Sequence, residues 1–187
     1  MANEFIVHPK ANPTYLRVGE IRTVGNEIQP AVTREFLDGP DAVAVLIHCP
    51  AERKVLIPAQ FRPAIVTKHA PGWIYEIPAG MIDPNESPWM AAVREVEEET
   101  GIAIDPESLW LAGRFATSPG RTNEFIYLYI ASVPSTEGTL VNGGLPDEVG
   151  LIRNEWYGYD FARDLMIVDM KTQLALVTLF GKDTRED

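Results

Sequence analysis

The stretch GMIDPNESPWMAAVREVEEETGI, Gly80 to Ile102, constrains the fold more than any other part of the chain. It predicts a helix with both ends marked. Ser87 is a good N-cap, Pro88 falls at the tolerated first helical position, and Gly101 suits the left-handed residue that closes a helix. Over this span, about Pro88 to Thr100, a helical step of about 100° per residue gathers Trp89, Ala92, Val93, Val96 and Thr100 on one side, a face suited to a core. Glu95, Glu98 and Glu99 gather on another. Like charges at such spacings destabilise an isolated helix by a few tenths of a kcal/mol per pair, roughly, and Arg94 is the sole cation among them.

Two readings of this cluster stand side by side. A solvated helix face is the commoner one, but such faces usually intersperse Lys and Arg one turn on, and none follows these glutamates. The other is a hard divalent cation. Mg²⁺ takes oxygen ligands and is held by a few carboxylates together with substrate phosphates and water, and Glu95 and Glu99, one turn apart, can reach a common ion.

The rest of the composition bounds the partners. The chain has 187 residues, 45% of them hydrophobic, enough for one domain with a core and a small appendage. Its 27 acidic residues against 16 Lys and Arg give a net charge of −11, which argues against a broad nucleic-acid surface and against an anionic membrane. No segment has the length of a membrane span and MANEFIVHPK lacks the features of a signal peptide, so the cytoplasm is the expected location. The single cysteine, Cys49, fits a reducing compartment and reads as buried or turn-side structure. The three histidines, His8, His48 and His69, show no metal-ligand spacing and read as structural or surface residues. Neither GxGxxG nor GxxxxGK[ST] occurs, which removes dinucleotide-fold and P-loop readings.

Strands are expected near 15–22 and 27–37, the second interrupted by Pro30. DAVAVLIH and KVLIPAQF flank the turn-like CPAER as a hairpin, GWIYEIP leads into the glutamate-rich segment, and SLWLAGRFAT and EFIYLYIASV follow it. A last helix is expected over about Lys171 to Phe180, with Leu174, Leu176, Val177 and Leu179 near one side. Strands on both sides of a helix, with a second helix near the end, describe an α/β domain.

Gly80, Glu86 and the run REVEEETGI occupy every defined position of the Nudix box, and the chain is identified as resembling that family. The resemblance implies an α/β/α sandwich with a mixed sheet and hydrolysis of a nucleoside diphosphate linked to another group. It also implies a Mg²⁺ site, with Mn²⁺ as substitute, formed by Glu95, Glu99 and the backbone carbonyl of Ala79, with Glu98 as a further ligand or as a partner behind the ligands. Arg94 would orient the glutamates and Glu86 would brace the loop. Flanking residues resemble the ADP-ribose pyrophosphatase and GDP-mannose hydrolase branch. AQFRPA would place Arg62 on phosphate, with which Arg forms bidentate bonds. EIPAG is the approach to the box in that branch, Arg34 and Glu35 of TREFLDG match a substrate-contacting pair, and SPGRTNE supplies Pro119 and Glu124. Exposed ion pairing for Arg34 and Glu35, and a plain turn for Pro119–Gly120, stand as the structural alternatives.

Residues 1–40 resemble the small extra sheet of that branch, which implies a homodimer, and 41–187 the hydrolase domain. In NGGLPDEVG the paired glycines give freedom and Glu148 matches the loop glutamate that accepts a proton from water, with a box glutamate, Glu98 included, as the alternative base. The expected substrate is ADP-ribose or a related nucleoside diphosphate sugar. Two rivals are a GDP-mannose-preferring hydrolase and a non-catalytic nucleotide sensor, the latter opposed by the intact set of Arg94, Glu95, Glu98 and Glu99. Stacking on the base is open among Phe5, Tyr15, Phe36, Trp73 and Phe115.

Overall fold

The computed structural model describes residues 17–23, 32–66, 68, 72–138, 140–141, 151–165 and 167–183. The expectations for Phe5, Tyr15, His8, His69 and Glu148 fall outside the described residues. Within them the chain runs β1 (Arg17–Thr23), β2 (Val32–Asp38), β3 (Ala42–Cys49), β4 (Lys54–Leu56), β5 (Ala59–Phe61), α1 (Pro63–Val66), β6 (Trp73–Tyr75), β7 (Ala79–Met81) and α2 (Pro88–Thr100). It continues through a short 3₁₀ turn at Pro106–Ser108, β8 (Leu109–Ala116), β9 (Phe125–Ser132), β10 (Ile152–Arg153), β11 (Trp156–Gly158), α3 (Tyr159–Asp164) and α4 (Met170–Asp183).

The run AVAVLIHC makes β3 the centre of the larger sheet, because a strand apolar at successive positions must be covered on both faces. Val43, Val45 and Ile47 pack with Ala91, Ala92 and Val96 of α2. Ala44 and Leu46 pack on the opposite face with Tyr159 and Ala162 of α3 and Ala175, Leu176 and Phe180 of α4. The result is an α/β/α sandwich. Its sheet, ordered β11-β4-β3-β9-β8, is mixed: β3 runs parallel to β9 and antiparallel to β4. A parallel neighbour requires a crossover, and the segment containing α2 supplies it. The first half of β3 also holds β7, with Val43 opposite Gly80. Beside this sheet stand β10-β5-β6 and the antiparallel pair β1-β2. Among the described residues no helix is long and apolar enough to cross a membrane.

Several details depart from expectation. KVLIPAQF is two strands rather than one. Pro58 has no N–H for the ladder, so the chain bends there: Ile57 donates to the carbonyl of Glu155, and the Pro58 carbonyl accepts from Glu76. That bend carries β5, and Arg62 after it, into the second sheet. GWIYEIP likewise stops at Tyr75, and β7 begins at Ala79. In α2, Trp89 lies in the first turn and is exposed, while Ala91, Glu95 and Glu99 join Ala92, Val96 and Thr100 in the buried set. In α4 the buried stripe is Thr172, Ala175, Leu176 and Phe180, and Val177 faces outward. Cys49 is buried in β3, and His48 is buried between the Tyr159 hydroxyl at 2.7 Å and the Ser132 hydroxyl at 2.9 Å.

Candidate active site

The helix that carries the glutamates is fixed at both ends by the residues that predict it. The Ser87 hydroxyl accepts from the Met90 N–H at 3.2 Å, and Gly101, at φ 74°, donates to the Glu97 carbonyl at 2.9 Å. One face of α2 packs on β3, and this sets Glu95 and Glu99 against β7. Both are buried, at 9% and 6% exposure, whereas Glu98 is open to solvent. Carboxylates are rarely buried this far without a partner of opposite charge.

Gly80 shows how closely strand and helix approach. A Cβ at that position would lie 2.0 Å from Oε1 of Glu95 and 2.3 Å from its Oε2. The obstacle is the far end of a side chain, so Gly80→Ala is expected to leave the fold standing but to displace the Glu95 carboxylate. Since misplacing a reacting group by about 1 Å can lower turnover about 100-fold, G80A is expected to lose roughly that factor while its melting temperature barely moves. Parallel activity assays and thermal melts check it.

Arg94 is the hub. It donates to both oxygens of Glu86 at 2.9 and 2.8 Å, to Glu95 at 2.7 Å, to Glu98 at 3.1 Å and to the Met81 carbonyl at 3.1 Å. Its bonds to Glu86, and then its bond to Glu95, push the guanidinium pKa further up, and the bonds to Glu86 hold that carboxyl below the usual range. Glu86 also accepts from the Asp83 N–H at 3.1 Å, so it links the loop before α2 to the helix.

These groups open onto a cavity of about 470 Å³ lined by Arg62, Ala79, Gly80, Met81, Asp83, Arg94, Glu95, Glu98 and Glu99. Arg62 reaches it from the end of β5 and is held from behind by Glu76, whose two oxygens accept from Nε at 2.7 Å and from Nη2 at 2.8 Å. Lys171 also donates to Glu76, and to Asp169 at 3.0 Å. Nothing in the sequence pattern marked Glu76 and Lys171 as a pair, since they are far apart in the chain. Sequence reasoning missed Asn154 as well: its amide binds the Glu99 carbonyl.

The other sequence candidates lie elsewhere. Arg34 and Glu35 are in β2, paired through the backbone with Ile21 and Glu20. Pro119 is exposed in a turn whose Arg121 and Thr122 N–H groups meet the Ser118 carbonyl, and Glu124 is partly buried just before β9. Neither lines the glutamate cavity. The turn is fastened to β2, with Leu37 exchanging backbone bonds with Arg121 and Asn123. Of the aromatics, Phe36 is partly buried, Trp73 lies 5.7 Å from the Phe61 ring and under Arg153, and Phe115 is exposed.

Among the described residues no three acidic, histidine or cysteine side chains already converge as a metal site. The donor set still fits a hard cation. Every candidate ligand is an oxygen, Glu95 and Glu99 are buried one turn apart, and the wall they share with Asp83 and Glu98 carries four carboxylates to two arginines, Arg62 and Arg94.

An α/β/α sandwich with a glutamate helix laid against a glycine-bearing strand defines the class. The NUDIX domain matches residues 39–175, and the chain belongs to the NUDIX family. It is similar to a methanol dehydrogenase activator of Bacillus methanolicus, 35% identical over 76% of this chain and 74% of the relative. It also resembles an ADP-ribose pyrophosphatase of Bacillus subtilis (strain 168), 39% identical over 54% of this chain, and a GDP-mannose pyrophosphatase of Cronobacter sakazakii (strain ATCC BAA-894), 32% identical over 62%. The matches span 50% and 59% of those two relatives.

Proposed function

We propose that the protein is a Nudix pyrophosphohydrolase that cleaves the diphosphate of ADP-ribose or a related nucleoside diphosphate sugar. One observation carries this reading: a single cavity gathers Arg62, Ala79, Arg94 and the three box glutamates Glu95, Glu98 and Glu99. The likeness to ADP-ribose and GDP-mannose pyrophosphatases supports the substrate class.

Glu95, Glu98, Glu99 and the Ala79 carbonyl would hold Mg²⁺ or Mn²⁺. When bound, such an ion neutralises phosphate charge and lowers the pKa of water. The chain's own residues do the rest. Arg62, steadied by Glu76, offers charge-assisted bonds to phosphate oxygens. Arg94 keeps Glu95 and Glu98 oriented toward the cavity. Glu148 accepts the proton of the attacking water. The water oxygen bonds to one phosphorus as the bridging P–O bond breaks, leaving a nucleoside monophosphate and a sugar phosphate. For Glu148 the support is the anchorage of the flanking chain: the Val141 N–H meets the Thr100 carbonyl at 3.1 Å, beside Glu99, and the Leu151 carbonyl accepts from Phe61 at 2.8 Å, beside Arg62.

The same reading takes residues 1–40 as a β extension that pairs two copies into a homodimer, with 41–187 as the hydrolase domain. It assigns substrate contacts to Arg34, Glu35, Pro119 and Glu124. The turn between Pro119 and Glu124 is fastened to β2, which carries Arg34 and Glu35, and this supports treating the four together. A cytoplasmic location accords with the lone buried Cys49.

The test is product analysis of purified protein with Mg²⁺ against ADP-ribose, GDP-mannose, other nucleoside diphosphate sugars, NADH and nucleoside triphosphates. AMP and ribose 5-phosphate, formed from ADP-ribose well ahead of all else, are expected. Preferred GMP release from GDP-mannose would change the substrate and keep the chemistry. Binding without any product, with Mg²⁺ or Mn²⁺, would replace the hydrolase with a nucleotide sensor.

A further inference from the structure

The last turn of a helix is its loosest part, because its final carbonyls have no partner within the helix. Glu99 sits in that turn of α2, one residue from the end. A side chain asked to hold a fixed position in the cavity therefore rests on the least constrained backbone of the element that carries it. Something outside the helix must secure it.

Asn154 does so. Its Nδ2 donates to the Glu99 carbonyl at 2.7 Å and to the Val141 carbonyl at 2.5 Å. A primary amide has two N–H donors on one nitrogen, so one side chain can bridge two carbonyls, which a hydroxyl with its single donor cannot do. The orientation of the amide follows, since its oxygen in the same place would face two other oxygens. Asn154 itself stands on a fixed base. Before it, Ile152 and Arg153 pair with Gln60 and Ala59. After it, the Glu155 carbonyl accepts from Ile57 at 3.1 Å. Val141 closes the link from the other side by donating to the Thr100 carbonyl at 3.1 Å. The strand that leads to Arg62 is thus tied to the helix end that carries Glu99.

We propose that Asn154 is a positioning residue for the cation-binding carboxylate of Glu99, acting through the helix backbone rather than by touching substrate or ion. The inference rests on the hydrolase reading above and adds to it a residue outside the box. Groups that orient metal ligands from behind typically govern metal affinity or activity by about 10–100-fold.

The test compares wild type with Asn154→Ala, which removes both donors, and Asn154→Asp, which keeps the shape but sets a carboxylate against two carbonyls. Mn²⁺ affinity is measured by electron paramagnetic resonance without substrate. Both variants are expected to bind Mn²⁺ about 10–100-fold more weakly. Steady-state assays should show kcat falling at limiting Mg²⁺, with KM at saturating Mg²⁺ within about threefold of wild type, the split expected of a group that does not hold substrate. A folded N154A with wild-type Mn²⁺ affinity, or one altered only in melting temperature, overturns the proposal. Should neither variant fold, the wild-type protein still decides. By linkage, Mg²⁺ binding should slow exchange and shift the NMR signals of the Asn154 side-chain amide, and no response overturns the proposal. Glu99→Gln is the control that separates the two levels of inference. Mn²⁺ binding lost in E99Q but intact in N154A refutes the role of Asn154 alone. Absence of turnover in wild type refutes the hydrolase reading, while the Mn²⁺ isotherms still report on Asn154. Mn²⁺ binding that E99Q leaves unchanged refutes both.

Discussion

Glu99→Gln is expected to lower turnover by about 100- to 1000-fold while leaving the protein folded. The size follows from the several kcal/mol of transition-state stabilisation that a cation site supplies, at about 1.4 kcal/mol per factor of ten. Folding should survive because the substitution keeps the size of the side chain, and because the backbone at this point is held by bonds that do not involve the carboxylate. Asn154 holds the carbonyl of Glu99 itself, and Gly101 closes the helix behind it. Removing one negative charge from a wall shared with Glu95, Glu98 and Asp83 also relieves repulsion. The melting temperature should therefore stay within a few degrees of wild type or rise, roughly as expected for loss of a like-charge neighbour. Loss of activity with no loss of stability is the signature of a residue kept for chemistry. A folded E99Q protein with near-normal kcat at saturating Mg²⁺ would remove Glu99 from the ligand set.

Residues 87 to 101 are the part of the molecule best read from sequence, because their signals are local. Ser87, Pro88 and Gly101 each act on the backbone within a turn of themselves, and α2 begins and ends where they place it. The strand DAVAVLIH was legible for a similar reason, since its run of Val, Ile and Leu marks a strand by itself, whereas its cover on both faces is seen only in the fold. What escaped was set by distant parts of the chain. The rotation of α2 against β7 decides that Glu95 and Glu99 are buried and that Trp89 is not, and a helical wheel contains no β7. In KVLIPAQF the apolar continuity suggested one strand, while the missing N–H of Pro58 divides it between two sheets. Strands β10 and β11, of two and three residues, are too short for alternation to register. The box glutamates, Arg94 and Arg62 could thus be named from sequence, but not Glu76, Lys171 and Asn154, which hold them from distant parts of the chain.

Glu76 is one of those residues, and Glu76→Gln is expected to be the most destabilising of these changes. Its carboxylate is 5% exposed and takes a two-pronged bond from Arg62 and another from Lys171. Lys171 is tied in turn to Asp169, which accepts from the Thr172 N–H at the start of α4, while the Thr172 hydroxyl accepts from the Ile77 N–H at 2.9 Å. Neutralising Glu76 leaves Arg62 and Lys171 facing each other without the carboxylate they share, with Asp169 still on Lys171. Breaking a buried pair in this way costs about 3–5 kcal/mol, and the partial exposure of Arg62 brings the expectation nearer 2–4 kcal/mol. For a chain of this size that is a fall in melting temperature of roughly 5–15 °C. The pH dependence gives an independent check. Burial pushes the Glu76 carboxyl up, but the Arg62 hydrogen bond and the charges of Lys171 and Arg62 outweigh it, and the folded-state pKa lies below the ordinary 4.5. A carboxyl with a depressed folded pKa contributes its stabilisation above its unfolded value and loses it as pH falls through the folded value. The gap between wild type and E76Q should accordingly be full at neutral pH and narrow progressively below about pH 4.5, as the carboxyl loses its charge. Thermal melts of both proteins over that range decide it. A gap that persists unchanged at the acid end would mean that Glu76 acts through packing rather than charge.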